Sequence, residues 1–158
     1  MSLSRPKKDK APQIGAVEAA LMLISKRSYS KKGLAGKLML KGYSAQDTAK
    51  AVERLMELNY INDEKYAKNL SEYLALQGKG EYYIKAELEK HEITSEIIQT
   101  VLQEIKSETE PYEQIISMIR KRYPDFSNSN MALKRKAVAF FSRRGFNLDD
   151  ILKAFNRF

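Results

Sequence analysis

From Ile14 to the C-terminus the apolar residues recur at intervals of three and four, the spacing that keeps side chains on one face of an α-helix. Val17, Leu21 and Ile24 form a first stripe, Leu34 and Leu38 a second, and Thr48, Val52 and Leu55 a third. The series continues with Tyr66, Leu70, Tyr73 and Leu74, then Ile84 and Leu88, then Ile97, Ile98, Val101, Leu102 and Ile105. Ile115, Ile116 and Ile119 follow, then Leu133, Ala137, Phe140 and Phe141, and finally Ile151, Leu152, Phe155 and Phe158. No comparable stretch alternates with the period of two that a half-buried strand requires. The pattern predicts an all-α chain of about nine helices.

Polar punctuation marks where those helices begin and end. Ser30, Ser44, Asn62, Thr94, Asn128 and Asn147 stand at expected helix starts, where a short side-chain oxygen accepts from an unpaired first-turn N–H. Asp47 and Asp150 lie three residues after Ser44 and Asn147, as in a capping box with a shorter acid. Gly42 and Gly145 suit the left-handed residue that ends a helix, Pro111 suits a first turn, and Pro124 breaks the chain.

Self-comparison reveals an internal repeat. Lys41-Gly42-Tyr43-Ser44 aligns with His91-Glu92-Ile93-Thr94 at an offset of 50 and with Arg144-Gly145-Phe146-Asn147 at 103. Leu38, Leu88 and Phe141 then correspond, as do Val52, Leu102 and Phe155. The expected organisation is a disordered basic arm over 1–13 and three tandem three-helix repeats over 14–62, 63–110 and 111–158. Units of about 50 residues bury little surface alone, so neighbours are expected to share apolar faces in an elongated, curved stack.

Charge divides the chain differently. Its 158 residues carry a net +8, but residues 1–50 hold 11 Lys/Arg against 3 Asp/Glu, 51–110 hold 7 against 13, and 111–158 hold 10 against 4. Two basic ends flank an acidic middle, which points to a polyanionic partner for part of the surface. The longest apolar run, Ala19 to Ile24, falls far short of the roughly 18 residues of a membrane span, and the N-terminus has no secretory pattern, so a soluble cytoplasmic protein is expected.

Catalytic chemistry finds little to work with. With no Cys and one His, disulfides, thiolate nucleophiles, most zinc sites and the usual triads are excluded, and no metal or cofactor is expected. His91 fits a helix C-terminus, and Asp63-Glu64 and Asp149-Asp150 fit first helical turns, where the dipole favours them. Gln77-Gly78-Lys79-Gly80 lacks the spacing of a phosphate-binding loop and follows no strand. The basic clusters remain: Lys26, Arg27, Lys31 and Lys32; Arg120, Lys121 and Arg122; Lys134, Arg135 and Lys136; Arg143 and Arg144. They suit phosphate contacts without sequence preference, although cations also favour helix C-termini. Leu34 to Ile61 is similar to the entry of a winged helix, but its second helix carries Lys50 and Arg54 against Asp47, Glu53 and Glu57, and Asp63 onward reads as helix where a wing needs strands.

The order of several short segments resembles the RecX family of bacterial regulators of the RecA recombinase. They are Leu23-Ile24-Ser25-Lys26-Arg27-Ser28-Tyr29-Ser30, Lys37-Leu38 with Lys41-Gly42-Tyr43-Ser44, and Leu58-Asn59-Tyr60-Ile61-Asn62-Asp63-Glu64-Lys65-Tyr66-Ala67. Lys79-Gly80, Ile84 with Glu87-Leu88, and Phe140-Phe141-Ser142-Arg143-Arg144-Gly145-Phe146 with Ile151 complete them. The chain departs from the family at His91-Glu92-Ile93, where a basic residue and Gly are usual, and between Tyr123 and Ala132. The resemblance implies a non-enzymatic regulator that acts by occupancy: a monomer that binds RecA and its filament on single-stranded DNA, lies in the filament groove, and inhibits recombinase, ATPase and co-protease activity. It thereby implies a part in homologous recombination, DNA repair and the SOS response, with some family members acting positively. The alternative is a general nucleic-acid-binding helical module resting on the basic ends.

Overall fold

A computed structural model describes residues 13–108 and 110–158. The arm expected over 1–13 therefore lies outside the described residues except for Gln13. Nine α-helices are described: α1 (Ala16–Ile24), α2 (Lys31–Leu40), α3 (Ala45–Glu57), α4 (Asp63–Leu76), α5 (Glu81–Lys90), α6 (Ser95–Glu108), α7 (Pro111–Arg122), α8 (Met131–Arg143) and α9 (Leu148–Phe155). No strand occurs among the described residues, so the wing of a winged helix is absent there. Contacts divide the chain into two compact units at Tyr66 and Ala67, inside α4.

In the first unit α1 and α2 both pack on α3. Ala19 and Ala20 meet a core of Leu34, Leu38, Ala51, Val52, Leu55 and Ile61. The stripe expected from α1 is corrected here: Val17 and Leu21 remain 38% and 40% exposed, while the two alanines are buried. This helix is apolar nearly all round, so periodicity alone does not choose its inner face, and small residues permit the closer approach. Ser30 Oγ accepts from the Gly33 N–H at 3.1 Å, and Ser44 Oγ accepts from the Asp47 N–H at 3.0 Å while donating to Asp47 Oδ2 at 2.7 Å. Asn62 caps α4 through the Lys65 N–H at 2.9 Å.

In the second unit α7 and α8 pack on α9 around Ile115, Ile119, Ala137, Phe141, Phe146, Ile151, Ala154 and Phe155. The irregular segment before α8 adds Phe126, 7% exposed, whose ring centre lies 4.9 Å from that of Phe155 and 5.2 Å from that of Phe158. The expected cap Asn128 is corrected to Asn130, whose Oδ1 accepts from the Leu133 N–H at 3.1 Å. Helix α5 packs on α6, with Ile84, Leu88, Ile93, Ile98 and Val101 buried.

The turns at Gly42, Glu92 and Gly145 have the same hydrogen bonding. The amides of Tyr43, Ile93 and Phe146 reach back to the carbonyls of Leu38, Leu88 and Phe141 at 3.3, 3.2 and 3.1 Å. The residue before each is left-handed, with φ of +90°, +52° and +83°. This is the helix-ending turn that glycine favours and that the repeat predicts, and at Glu92 a side chain occupies the same conformation. Together the helices and turns make an all-α repeat fold.

Candidate interface for a polyanionic partner

The first unit presents Lys26 and Arg27 on the exposed link after α1, with the Arg27 guanidinium 4.5 Å from the Tyr29 ring centre. Lys31 and Lys32 are exposed in the first turn of α2, the positive end of its dipole, so helix electrostatics does not account for them. Asp63 offsets them in part: its Oδ1 accepts from the Lys31 N–H at 2.8 Å, so this acid serves the start of α2 as well as its own helix. The nearby Tyr66 phenol is pushed above its usual pKa, chiefly by burial.

The second unit gathers cations around aromatic rings. Arg120, Lys121 and Arg122 form the exposed last turn of α7, where the dipole favours them. The Arg122 guanidinium lies 4.4 Å from the Phe140 ring centre, and that of Arg144 lies 4.8 Å from the same ring. Phe140 thus brings the ends of α7 and α8 together, and Tyr123 meets it edge-on with centres 6.4 Å apart. Lys134 is half-buried 5.9 Å from the Phe155 ring centre, while Arg135 and Lys136 are exposed on α8. Arg143 is exposed, but Arg144 turns inward: its Nη1 donates to the Gln77 and Gly78 carbonyls at 2.8 and 3.2 Å. Donation to carbonyls of the α4–α5 link sets Arg144 apart from its exposed neighbour Arg143.

Pairing separates the middle of the chain from these clusters. Lys68 bridges to Glu104 at 3.1 Å, Lys85 to Glu89 at 3.9 Å, and Lys90 is bonded to Glu87. The Glu104 and Glu87 hydrogen bonds hold the Lys68 and Lys90 ammonium groups above lysine's usual pKa. No such carboxylate pair is described for Lys26, Arg120, Lys121, Arg122, Arg135, Lys136 or Arg143. The middle compensates much of its own charge, whereas these cations stay exposed without a described carboxylate partner, and ring-stacked guanidiniums leave N–H edges able to donate. The aromatic partners were missed by sequence reasoning. Their signal is the placement of Tyr123, Phe140 and Phe158 beside basic clusters, visible only once α7, α8 and α9 are packed.

The glycine-rich loop Gln77-Gly78-Lys79-Gly80 has a packing role instead of a phosphate. The Gly80 and Tyr82 amides donate to the Arg144 and Gly145 carbonyls at 2.8 and 3.0 Å. His91 occupies the C-cap of α5, as the repeat places it. No cluster of three His, Asp or Glu able to hold a metal is found among the described residues, and no helix there is long and apolar enough to cross a membrane.

Comparison with known proteins places these features in a family. The model for "RecX, first three-helix domain" matches residues 16–55, and that for "RecX, third three-helix domain" matches residues 108–155. The chain is 31% identical over 138 residues to "Regulatory protein RecX" of Stenotrophomonas maltophilia (strain R551-3), covering 87% of this chain and 83% of that protein. It is 34% identical over 137 residues to "Regulatory protein RecX" of Caldanaerobacter subterraneus subsp. tengcongensis, covering 87% and 67%. A crystal structure of RecX from Lactobacillus salivarius shares the fold, with a TM-score of 0.77 at 22% identity over 90% of this chain and 93% of that one.

Proposed function

The chain belongs to the RecX family of regulatory proteins, and from that premise we propose that it binds RecA and RecA filaments on single-stranded DNA and inhibits them by occupancy. Its three-helix segments are 14–62, 63–110 and 111–158, and it acts without catalysis, as a monomer in the cytoplasm. The observation that carries this reading is the family match across most of the chain, joined to the exposed cations Lys26, Arg120, Lys121, Arg135, Lys136 and Arg143, for which no carboxylate pair is found among the described residues. A bound regulator along a filament blocks subunit addition without any bond being made or broken, and a basic surface speeds its encounter with DNA or acidic protein.

The test is a titration into RecA on single-stranded DNA. ATPase rate and strand exchange are expected to fall as the protein is added, with shorter filaments by microscopy. Unchanged rates and filament lengths over a wide concentration range sink the proposal. The second reading, a nucleic-acid-binding module, is favoured by the cation-and-ring cluster at Arg122 and Phe140. It expects DNA affinity without RecA that drops about 10³-fold or more between 50 and 200 mM salt if six or more phosphates are contacted. Replacing Arg120, Lys121, Arg122, Lys134, Arg135 and Lys136 with Glu abolishes that affinity on this reading; unchanged binding removes it.

A further inference from the structure

We propose that Arg144 is a positioning residue: it latches the α8–α9 turn onto the link between α4 and α5, and so sets where the α7–α8 basic surface is presented. The functional half of this proposal rests on the reading of the chain as a RecA regulator; the latch itself does not.

Three helix ends meet at the seam. Carbonyls at the end of α4 and in the turn just after it accept from elsewhere in the unit: Ala75 O from Gln114 Nε2 of α7 at 2.6 Å, and Gln77 O and Gly78 O from Nη1 of Arg144, the C-cap of α8, at 2.8 and 3.2 Å. A guanidinium on carbonyls at a helix C-terminus makes charge-assisted bonds at the negative end of the dipole. The first amides of α5 are taken by the end of α8, through Gly80 N–H to Arg144 O at 2.8 Å and Tyr82 N–H to Gly145 O at 3.0 Å. Unpaired donors of one helix thereby meet unpaired acceptors of another.

Glycine makes this contact possible. A Cβ on Gly80 would lie 2.5 Å from the Gly145 carbonyl carbon, and one on Gly145 would run into the Tyr83 backbone nitrogen. The opposing atoms are backbone and do not swing aside. Arg144 also packs on Phe140, the ring that seats Arg122, so the latch and the basic surface share a side chain. Arg143, one residue earlier, is exposed and has no such bonds, which makes it the natural control.

Arg144→Gln, Gly80→Ala and Arg143→Gln are compared in the full chain by amide exchange and by half-inhibition of RecA ATPase on single-stranded DNA. Arg144→Gln and Gly80→Ala are expected to speed exchange of the Gly80 and Tyr82 amides about tenfold relative to the Ile119 and Phe155 amides, which report any change in global stability. Both shift half-inhibition to higher concentration, although Gly80→Ala removes no charge; Arg143→Gln leaves the two amides as slow as in the parent. The latch is overturned if those amides stay equally slow in Arg144→Gln. The positioning role is overturned if Gly80→Ala opens the seam yet inhibits like the parent while Arg144→Gln does not, since Arg144 would then act as a contacting charge. If the parent itself leaves RecA unaffected, the RecA reading fails, the functional half falls with it, and exchange alone decides the latch.

Discussion

At the start of α2, Ser30 turns its hydroxyl onto the Gly33 amide and Asp63 accepts from the Lys31 amide. At the start of α5, fifty residues on, Gly80 has no side chain to offer, and the Arg144 and Gly145 carbonyls take the Gly80 and Tyr82 amides. Both helices satisfy donors that every helix leaves unpaired at its N-terminus. The first does so within its own unit with side chains, and the second with the backbone of a turn more than sixty residues away. The difference shows how a repeat template is adapted: replacing a cap with glycine gives up a local bond and opens room for a neighbour's main chain. The α4–α5 and α8–α9 links thereby become parts of one compact unit.

The paired turns test this most severely. Gly42 and Gly145 are both left-handed, but a Cβ on Gly42 meets nothing within 4 Å, whereas one on Gly145 meets the Tyr83 backbone. Gly42→Ala is expected to lose about 1 kcal/mol, the strain of an L-residue at positive φ. Gly145→Ala is expected to lose about 3 kcal/mol or more, because backbone must move as well. Urea unfolding curves measure both, and equal losses would show that the seam is not tight.

Exchanging the two caps sharpens the comparison at a smaller scale. Ser30→Ala removes an N-cap and is expected to lose about 1 kcal/mol. Gly80→Ser installs the residue that works at position 30, yet its Cβ meets Gly145, so about 2 kcal/mol of stability is lost instead of gained. A more stable Gly80→Ser variant would mean that the α5 start is merely an uncapped helix. At the third such start, Asn130→Ala should lose about 1 kcal/mol and Asn128→Ala less than about 0.5 kcal/mol, since only Asn130 bonds the first-turn Leu133 amide.

Helices, caps and turns were legible because their causes are local. Ser44 lies three residues from the amide it caps, and Leu38, Leu88 and Phe141 precede their turns by a fixed distance. The basic clusters were legible as charge, but their differing roles were not. Arg143 and Arg144 are neighbours in sequence, and only the fold sends one to solvent and the other to carbonyls 66 and 67 residues away. Gly78 and Gly80 likewise read only as a glycine-rich loop without phosphate-binding spacing until Arg144 is placed against the first and Gly145 against the second. Val17 and Leu21 misled for another reason: alanine gives a weak periodic signal, yet its small size is what lets α1 sit close on α3.

A third solution at a helix start gives the smallest effect and a pH signature. At the beginning of α6 the Glu96 carboxylate accepts from its own N–H and from the Thr94 hydroxyl, and these bonds hold its pKa below the usual carboxylate value. A carboxylate whose folded pKa is depressed adds stability that is present above the unfolded pKa of 4.5 and is lost as pH falls through the folded value. The stability difference between the parent and Glu96→Gln should therefore shrink on acidification below about pH 4.5 and stay level from pH 6 to 8. Thr94→Val should reduce that pH-dependent part while leaving the contribution of the Glu96 amide. Because the group is exposed, Ser30→Ala should outweigh both variants at neutral pH. A larger loss from Glu96→Gln, read from unfolding midpoints across pH, would place this acid with the tertiary caps at Asp63 and Gly145 instead of with the local ones.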